Sequence, residues 1–344
     1  MKRKAVINLI ILGILLIITI SLSVFVASHI FSTQPLPTIY ARKSPVAFPT
    51  EDDLLPVDPA PELQSELDQQ SDEADIEYDA DENADAEPVD FSFENGVEGL
   101  EELTDLILAY INPLGGSYSI YVKNLDTNEY LLINNQRQTP ASLIKLFNVV
   151  YAFERIENGS LELTPSIEGW LYNSIIISCN NSFNHLLAVF GYGNLIHGAM
   201  NATAFAQYSG FEDTIVGSSL YPSDFEIAGF SDLYTSVLDV GHLLENIYRG
   251  TMVSEEASEQ MLNILLAQQR LHKIPAGLPE GTVTASKTGE IGALEHDAAI
   301  VFTEHTNYVI VIMTENAPSA IFNIQEISRL VYNYFALASA ANGE

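Results

Sequence analysis

The chain has 344 residues, enough for one large domain or two modest ones, and a formal charge of −32. That charge excludes generic nucleic-acid binding and argues against docking onto an anionic membrane surface through charge. The single cysteine, Cys179, can form no intramolecular disulfide, and the 7 histidines show no HExxH pairing. Metal therefore has weak support, and no cofactor is expected.

The chain opens with Lys2, Arg3 and Lys4, followed by 23 uncharged residues, 5–27. A helix of that length crosses a hydrocarbon core of about 30 Å. A secretory signal peptide has an apolar region of only about 7–15 residues. Val26-Ala27-Ser28 is also a poor cleavage site, so residues 1–31 read as a cytoplasmic stub and an uncleaved transmembrane signal anchor. The basic end stays inside and the rest of the chain lies outside the cell. Residues 32–99 are proline-rich and then acidic, with 19 Asp and Glu and no Lys or Arg between 51 and 99. Such a segment buries too little apolar surface to offset its ordering entropy and reads as a disordered stalk.

Residues 100–344 form the folded domain. Leu103, Leu106, Ile107 and Tyr110 mark a helix over 100–111. Strands at 117–124 and 129–134 join through the turn Leu125-Asp126-Thr127-Asn128. A helix over 142–157, stopped by Asn158-Gly159, leads into further helices up to about residue 266. Three strands (282–287, 296–303, 308–314) and a helix (320–338) close the chain. This order predicts an α/β (α+β) fold: an antiparallel sheet of about five strands, flanked by N- and C-terminal helices, with an inserted all-helical lobe.

Three short motifs can carry chemistry. Ser142-Leu143-Ile144-Lys145 opens a helix that is apolar nearly all round, so Ser142 and Lys145 share one face beside unpaired N–H groups. A lysine in such a setting loses proton affinity and can serve as a base. The bland alternative is an N-capping serine with a lysine reaching solvent. Ser178-Cys179-Asn180 interrupts an apolar stretch in a segment, 171–187, that reads as helical. It either lines a cleft or is a polar helix face. Lys287-Thr288-Gly289 falls at the end of the strand 282–287, where Gly289 lets a substrate backbone approach and Lys287 with Thr288 can hold an anion. An ordinary strand exit would look the same.

Taken in order, S-x-x-K, S-x-N and K-T-G resemble the motif set of class A β-lactamases and penicillin-binding proteins. The likeness runs from about residue 100 to 338. It includes Asn184-His185-Leu186-Leu187 after the second motif and the stretch from Tyr234 to Leu244. The resemblance implies that Ser142 is the nucleophile and Lys145 its base, and that Ser178 relays a proton to the leaving group between Lys145 and Lys287. It also implies an oxyanion site built from the backbone N–H groups of Ser142 and Glu290, with Asn180, Thr288 and Gly289 contacting substrate. The implied partner is a small molecule or peptide, either a peptidoglycan fragment or a β-lactam.

Four departures bear on function. Cys179 stands where the family usually has aspartate, and Ser182-Phe183-Asn184 offers a second S-x-N register, although Ser178 is preferred because it leaves Asn184 in the family's place four residues beyond Asn180. The stretch between Lys145 and Ser178 is short, which opens the cleft. Between Phe211 and Tyr234 there are Glu212, Asp213, Asp224, Glu226 and Asp232 but no Glu-x-x-Asn to direct a deacylating water. No Lys or Arg lies between Lys287 and Arg329, so a substrate carboxylate would have only a protonated His296 in that region, a residue that reads better as a satisfied strand-end histidine. These points favour an acyl-enzyme-forming hydrolase with slow or no β-lactam turnover. The alternatives are a true β-lactamase and a catalytically inactive wall-binding module.

Overall fold

A computed structural model describes residues 94–217, 219–220 and 233–342. The signal-anchor segment, most of the stalk, and Asp224, Glu226 and Asp232 lie outside the described residues. Among those described, no helix is long and apolar enough to cross a membrane.

Runs of alternating side chains build one antiparallel sheet. The strands are β1 (Glu94–Glu98), β2 (Ser117–Asn124), β3 (Tyr130–Asn135), β4 (Val283–Ile291), β5 (Leu294–Phe302) and β6 (Tyr308–Glu315), in the order β1-β3-β2-β6-β5-β4. The central strands are apolar on both faces, as period-2 geometry requires of a sheet covered twice. In the register of β2 with β6, Tyr121 faces Val311 on one side, while Ile120 faces Ile312 and Val122 faces Ile310 on the other.

The second of these faces packs on α1 (Glu101–Ile111) and α8 (Ala320–Asn342), through Leu103, Ile107, Ile324, Ile327 and Val331. The first face carries the helical lobe: α2 (Ile144–Glu157), α3 (Pro165–Ile176), α4 (Asn180–Phe190), α5 (Leu195–Tyr208), α6 (Val237–Tyr248) and α7 (Glu255–Leu266). Local chemistry sets where several of these begin. Thr164, Asn194, Ser236 and Ser254 each accept a first-turn N–H as N-caps, and Pro165 occupies the first position of α3.

The structure corrects the sequence reading in three places. The folded part reaches back to Glu94: β1 pairs with β3 as an edge strand, so 94–98 belong to the sheet and not to the stalk. Glu98 reads as stalk because it is exposed on an edge strand. The segment 171–187 is two helices, broken at Ile177–Cys179. The strand bearing Lys287-Thr288-Gly289 continues to Ile291, so the motif lies within β4.

Candidate active site

Ser142 sits in a single 3-10 turn, Ala141–Leu143, that leads into α2. Two contacts fix the approach to this turn. Gln138 and Thr235 exchange backbone hydrogen bonds at 2.9 and 3.0 Å. His296 Nε2 lies 2.9 Å from Thr139 O, and its Nδ1 accepts from Thr314 N at 3.1 Å. An Nδ1 that accepts leaves the proton on Nε2, so the ring is neutral with both nitrogens in use. Burial lowers its pKa to about 4. His296 is thus no cation for a substrate carboxylate; it ties the serine-bearing turn to β5 and β6.

α2 is buried on nearly all sides, and Lys145 is buried with it. Lys145 Nζ has four oxygen neighbours: Ser142 Oγ at 2.8 Å, Ser178 O at 2.8 Å, Ser178 Oγ at 3.1 Å and Asn180 Oδ1 at 2.6 Å. An ammonium has three N–H donors for these four oxygens. A neutral amine satisfies the set differently: its two N–H groups serve Ser178 O and Asn180 Oδ1, which can only accept, and its lone pair takes a hydroxyl proton. Burial lowers the Lys145 pKa to about 7, with the Arg270 guanidinium acting in the same direction.

The break between α3 and α4 presents the second motif. Ser178 has φ +60°, a left-handed conformation that costs a non-glycine residue on the order of 1 kcal/mol and ends the helix. α4 then restarts at Asn180. Ser178 Oγ also accepts from Lys287 Nζ at 2.9 Å. The competing register fails, because Ser182 is buried inside α4 with its hydroxyl unpaired. Asn184 instead pins the chain at Leu220, donating to its carbonyl at 2.9 Å and accepting its N–H at 2.8 Å.

On β4, Lys287 is fully buried, and its Nζ also donates to Thr288 O at 2.6 Å. Burial first, then repulsion from Lys145 and Arg270, holds its pKa well below the ordinary lysine value. Backbone polar groups along a strand alternate between its two edges. With Thr288 O on the Lys287 side, the backbone of Glu290 faces the same edge, while that of Gly289 faces its partner His296 on β5. The Thr288 side chain is almost wholly buried. Gly289 has a different reason from the one its sequence suggested. A Cβ there would meet Pro140 O at 3.0 Å and Leu143 Cγ at 3.3 Å, so the space is taken by the Ser142 turn and not left for substrate.

The structure thus joins Ser142, Lys145, Ser178, Asn180 and Lys287 in one hydrogen-bonded cluster, with Thr288, Gly289 and Glu290 beside it. It adds two cations that a search downstream of Lys287 missed. Arg270 donates to Ile177 O at 3.2 Å and lies 3.7 Å from Glu290 Oε2. Lys273 is fully buried beneath β4 and β5. The available signal was Arg270, His272 and Lys273 within four residues of a chain that has only 14 Lys and Arg. Of the acids between 211 and 234, Asp213 pairs with Arg137 at 3.6 Å.

No curated protein matches this sequence. Among solved structures, PBP-A is similar over 69% of this chain and 97% of its own, with 25% identity and a TM-score of 0.61. A point variant of PBP-A is known as an acyl-enzyme complex with penicillin G. A β-lactamase from Sphaerobacter thermophilus matches in fold at 18% identity and a TM-score of 0.59, over 70% of this chain and 99% of its own. A variant of the TLA-1 extended-spectrum β-lactamase does so at 16% identity and a TM-score of 0.59, over 69% and 99%. The model of the β-lactamase enzyme family matches residues 101–170 and 164–335, a span that holds all three motifs and five of the six strands. This chain is a member of the β-lactamase enzyme family.

Proposed function

We propose that this protein is a membrane-anchored extracytoplasmic serine hydrolase that forms an acyl-enzyme on Ser142. Its substrate is a cell-wall peptide or a related amide or ester, and it turns over β-lactams slowly or not at all. The observation that carries this reading is the meeting of Ser142, a fully buried Lys145 and a hydroxyl shared by two buried lysines.

Ser142 Oγ attacks the acyl carbon while its proton passes to Lys145 Nζ. The carbonyl oxygen becomes an oxyanion against the N–H groups of Ser142 and Glu290. As the C–N bond breaks, Ser178 gives its proton to the leaving nitrogen and is reprotonated from Lys145, which restores the neutral amine. Lys287, next to Ser178 Oγ, stabilises the transient charge on that oxygen. Water then has to attack the ester. No Glu-x-x-Asn lies between 211 and 234 to direct it, so the ester persists. The PBP-A likeness supports this reading, since that protein's variant holds penicillin G as an acyl-enzyme.

The test is to incubate the full chain with a reporter penicillin, and separately with a fluorophosphonate, and to follow intact mass for hours. An adduct absent from Ser142→Ala and Lys145→Ala identifies the nucleophile and its base. Persistence of the penicillin adduct supports slow turnover, and its rapid loss indicates a β-lactamase. A folded protein that takes neither label overturns the reading in favour of the inactive binding module. For the anchor, retention of the full chain in membranes after alkaline extraction, with release of a form lacking residues 1–31, is the expected result.

A further inference from the structure

The buried cation Lys273 has no part in the steps above, and its surroundings are unusual. Its side chain is fully buried. Nζ donates to Gly289 O at 3.2 Å and to His296 O at 3.1 Å, the carbonyls of two residues that face each other across β4 and β5. Two carboxylates complete the shell: Glu290 Oε1 at 3.1 Å, and Glu295 Oε2 at 2.6 Å as a charge contact without hydrogen-bond alignment. Glu290 is further bracketed by His272 and Arg270.

Burying a lysine costs several kcal/mol unless it is paired and hydrogen-bonded. Ion pairing alone does not require this depth, because Glu290 and Glu295 are both part-exposed and could pair at the surface. What depth adds is reach to the two carbonyls. Gly289 O belongs to the same peptide unit as Glu290 N–H. In a trans peptide the oxygen and the hydrogen point in opposite directions. Lys273 therefore stands behind the N–H that faces the cleft edge. A hydrogen bond from a cation to the peptide oxygen draws electron density away from nitrogen and makes that N–H a stronger donor.

We propose that Lys273 is a positioning residue for acyl transfer: it holds the Gly289–Glu290 peptide unit in place and polarises it, so that Glu290 N–H is a stronger donor to the oxyanion. This rests on the assignment of Glu290 N–H to the oxyanion site made above. The role is confined to the tetrahedral state, since a neutral ground-state carbonyl gains much less from a stronger donor.

The experiment compares the full chain with Lys273→Met and Lys273→Arg, using a reporter penicillin. It separates the affinity of the initial non-covalent complex from the acylation rate, and adds the infrared stretch of the penicilloyl ester carbonyl. Removing a whole oxyanion donor typically costs about 100- to 1000-fold, so weakening one should slow acylation by about 10-fold in Lys273→Met. The initial complex should stay within about twofold of wild type, as expected for an interaction made only in the transition state. The ester stretch should move to higher wavenumber, and Lys273→Arg should recover part of the rate. If Lys273→Met fails to fold, Lys273→Met with Glu295→Gln removes the stranded carboxylate and is judged by the same readouts. A folded variant that acylates at the wild-type rate, or loses affinity and rate together with an unshifted stretch, overturns the proposal while leaving Ser142 as nucleophile. A wild-type protein that forms no adduct overturns the reading of Ser142 and this proposal with it.

Discussion

Lys145 and Lys287 hydrogen-bond the same hydroxyl, Ser178 Oγ, at 3.1 and 2.9 Å. Two ammonium groups this close, both removed from water, repel each other and shed protons more readily than free lysines. Burial thus lowers the Lys145 pKa to about 7 beside Ser142 Oγ.

The first prediction concerns pH. A general base works in its deprotonated form, so acylation of Ser142 should be slow at pH 5, rise through about 7 and level off above. Lys145→Arg keeps the charge but cannot lose its proton, and should acylate at least about 100-fold more slowly across the whole range. Rates of reporter-penicillin acylation from pH 5 to 9 check both. A flat profile in the wild type would remove Lys145 from the role.

A second consequence falls on stability. The Lys145 pKa is about 7 in the folded chain and about 10.4 when unfolded, so between these values the unfolded state binds more protons. The cost of burying Lys145 is therefore full below pH 7 and fades as pH rises towards 10. Lys145→Met should be more stable than wild type at pH 6, by roughly 1–3 kcal/mol, with the gain shrinking at pH 9–10. Urea unfolding at the two pH values measures it. A gain that grows with pH would contradict the assignment.

Gly289→Ala should damage folding and chemistry together. Its Cβ would press on Pro140 O, His296 Cβ and Leu143 Cγ, which belong to the serine-bearing turn and its anchor. Overpacking of this kind costs about 1–3 kcal/mol. The melting temperature should fall and acylation should slow, because the displaced atoms flank Ser142. A melting temperature equal to wild type would show that the turn yields freely.

The domain boundary also makes a prediction. A fragment beginning at Leu100 lacks β1 and leaves β3 as an open edge, whereas one beginning at Asp90 keeps the Glu94–Glu98 strand. The shorter fragment should be less stable by on the order of 2 kcal/mol and more prone to associate. Chemical unfolding and light scattering of the two fragments test this. Equal stability would make β1 dispensable.

Much of this protein was legible without coordinates because its signals are local. Short apolar runs bounded by turns mark β2, β3 and β6, the 3.6-residue spacing marks α1, and motif order alone named Ser142, Lys145, Ser178 and Lys287. The apolar shell of residues 143–153 already implied a desolvated Lys145. What misled was also local: the acidic residues of β1 resemble the stalk before them, and the apolar run up to Ile177 conceals a helix break at Ser178.

The amino-acid order by itself determined the three motifs and their sequence, the sheet with its terminal helices, and the acidic character of residues 51–99. The tertiary structure agrees with the Ser178 register of the second motif, since Ser178 and not Ser182 reaches Lys145 and Lys287. It also showed that His296 is a neutral tie, that Gly289 is reserved for the Ser142 turn, and that Lys273 stands behind the Gly289–Glu290 peptide. Each of these depends on groups 16 to 157 residues apart in sequence, and no local pattern records which distant chain segments a packed core brings into contact.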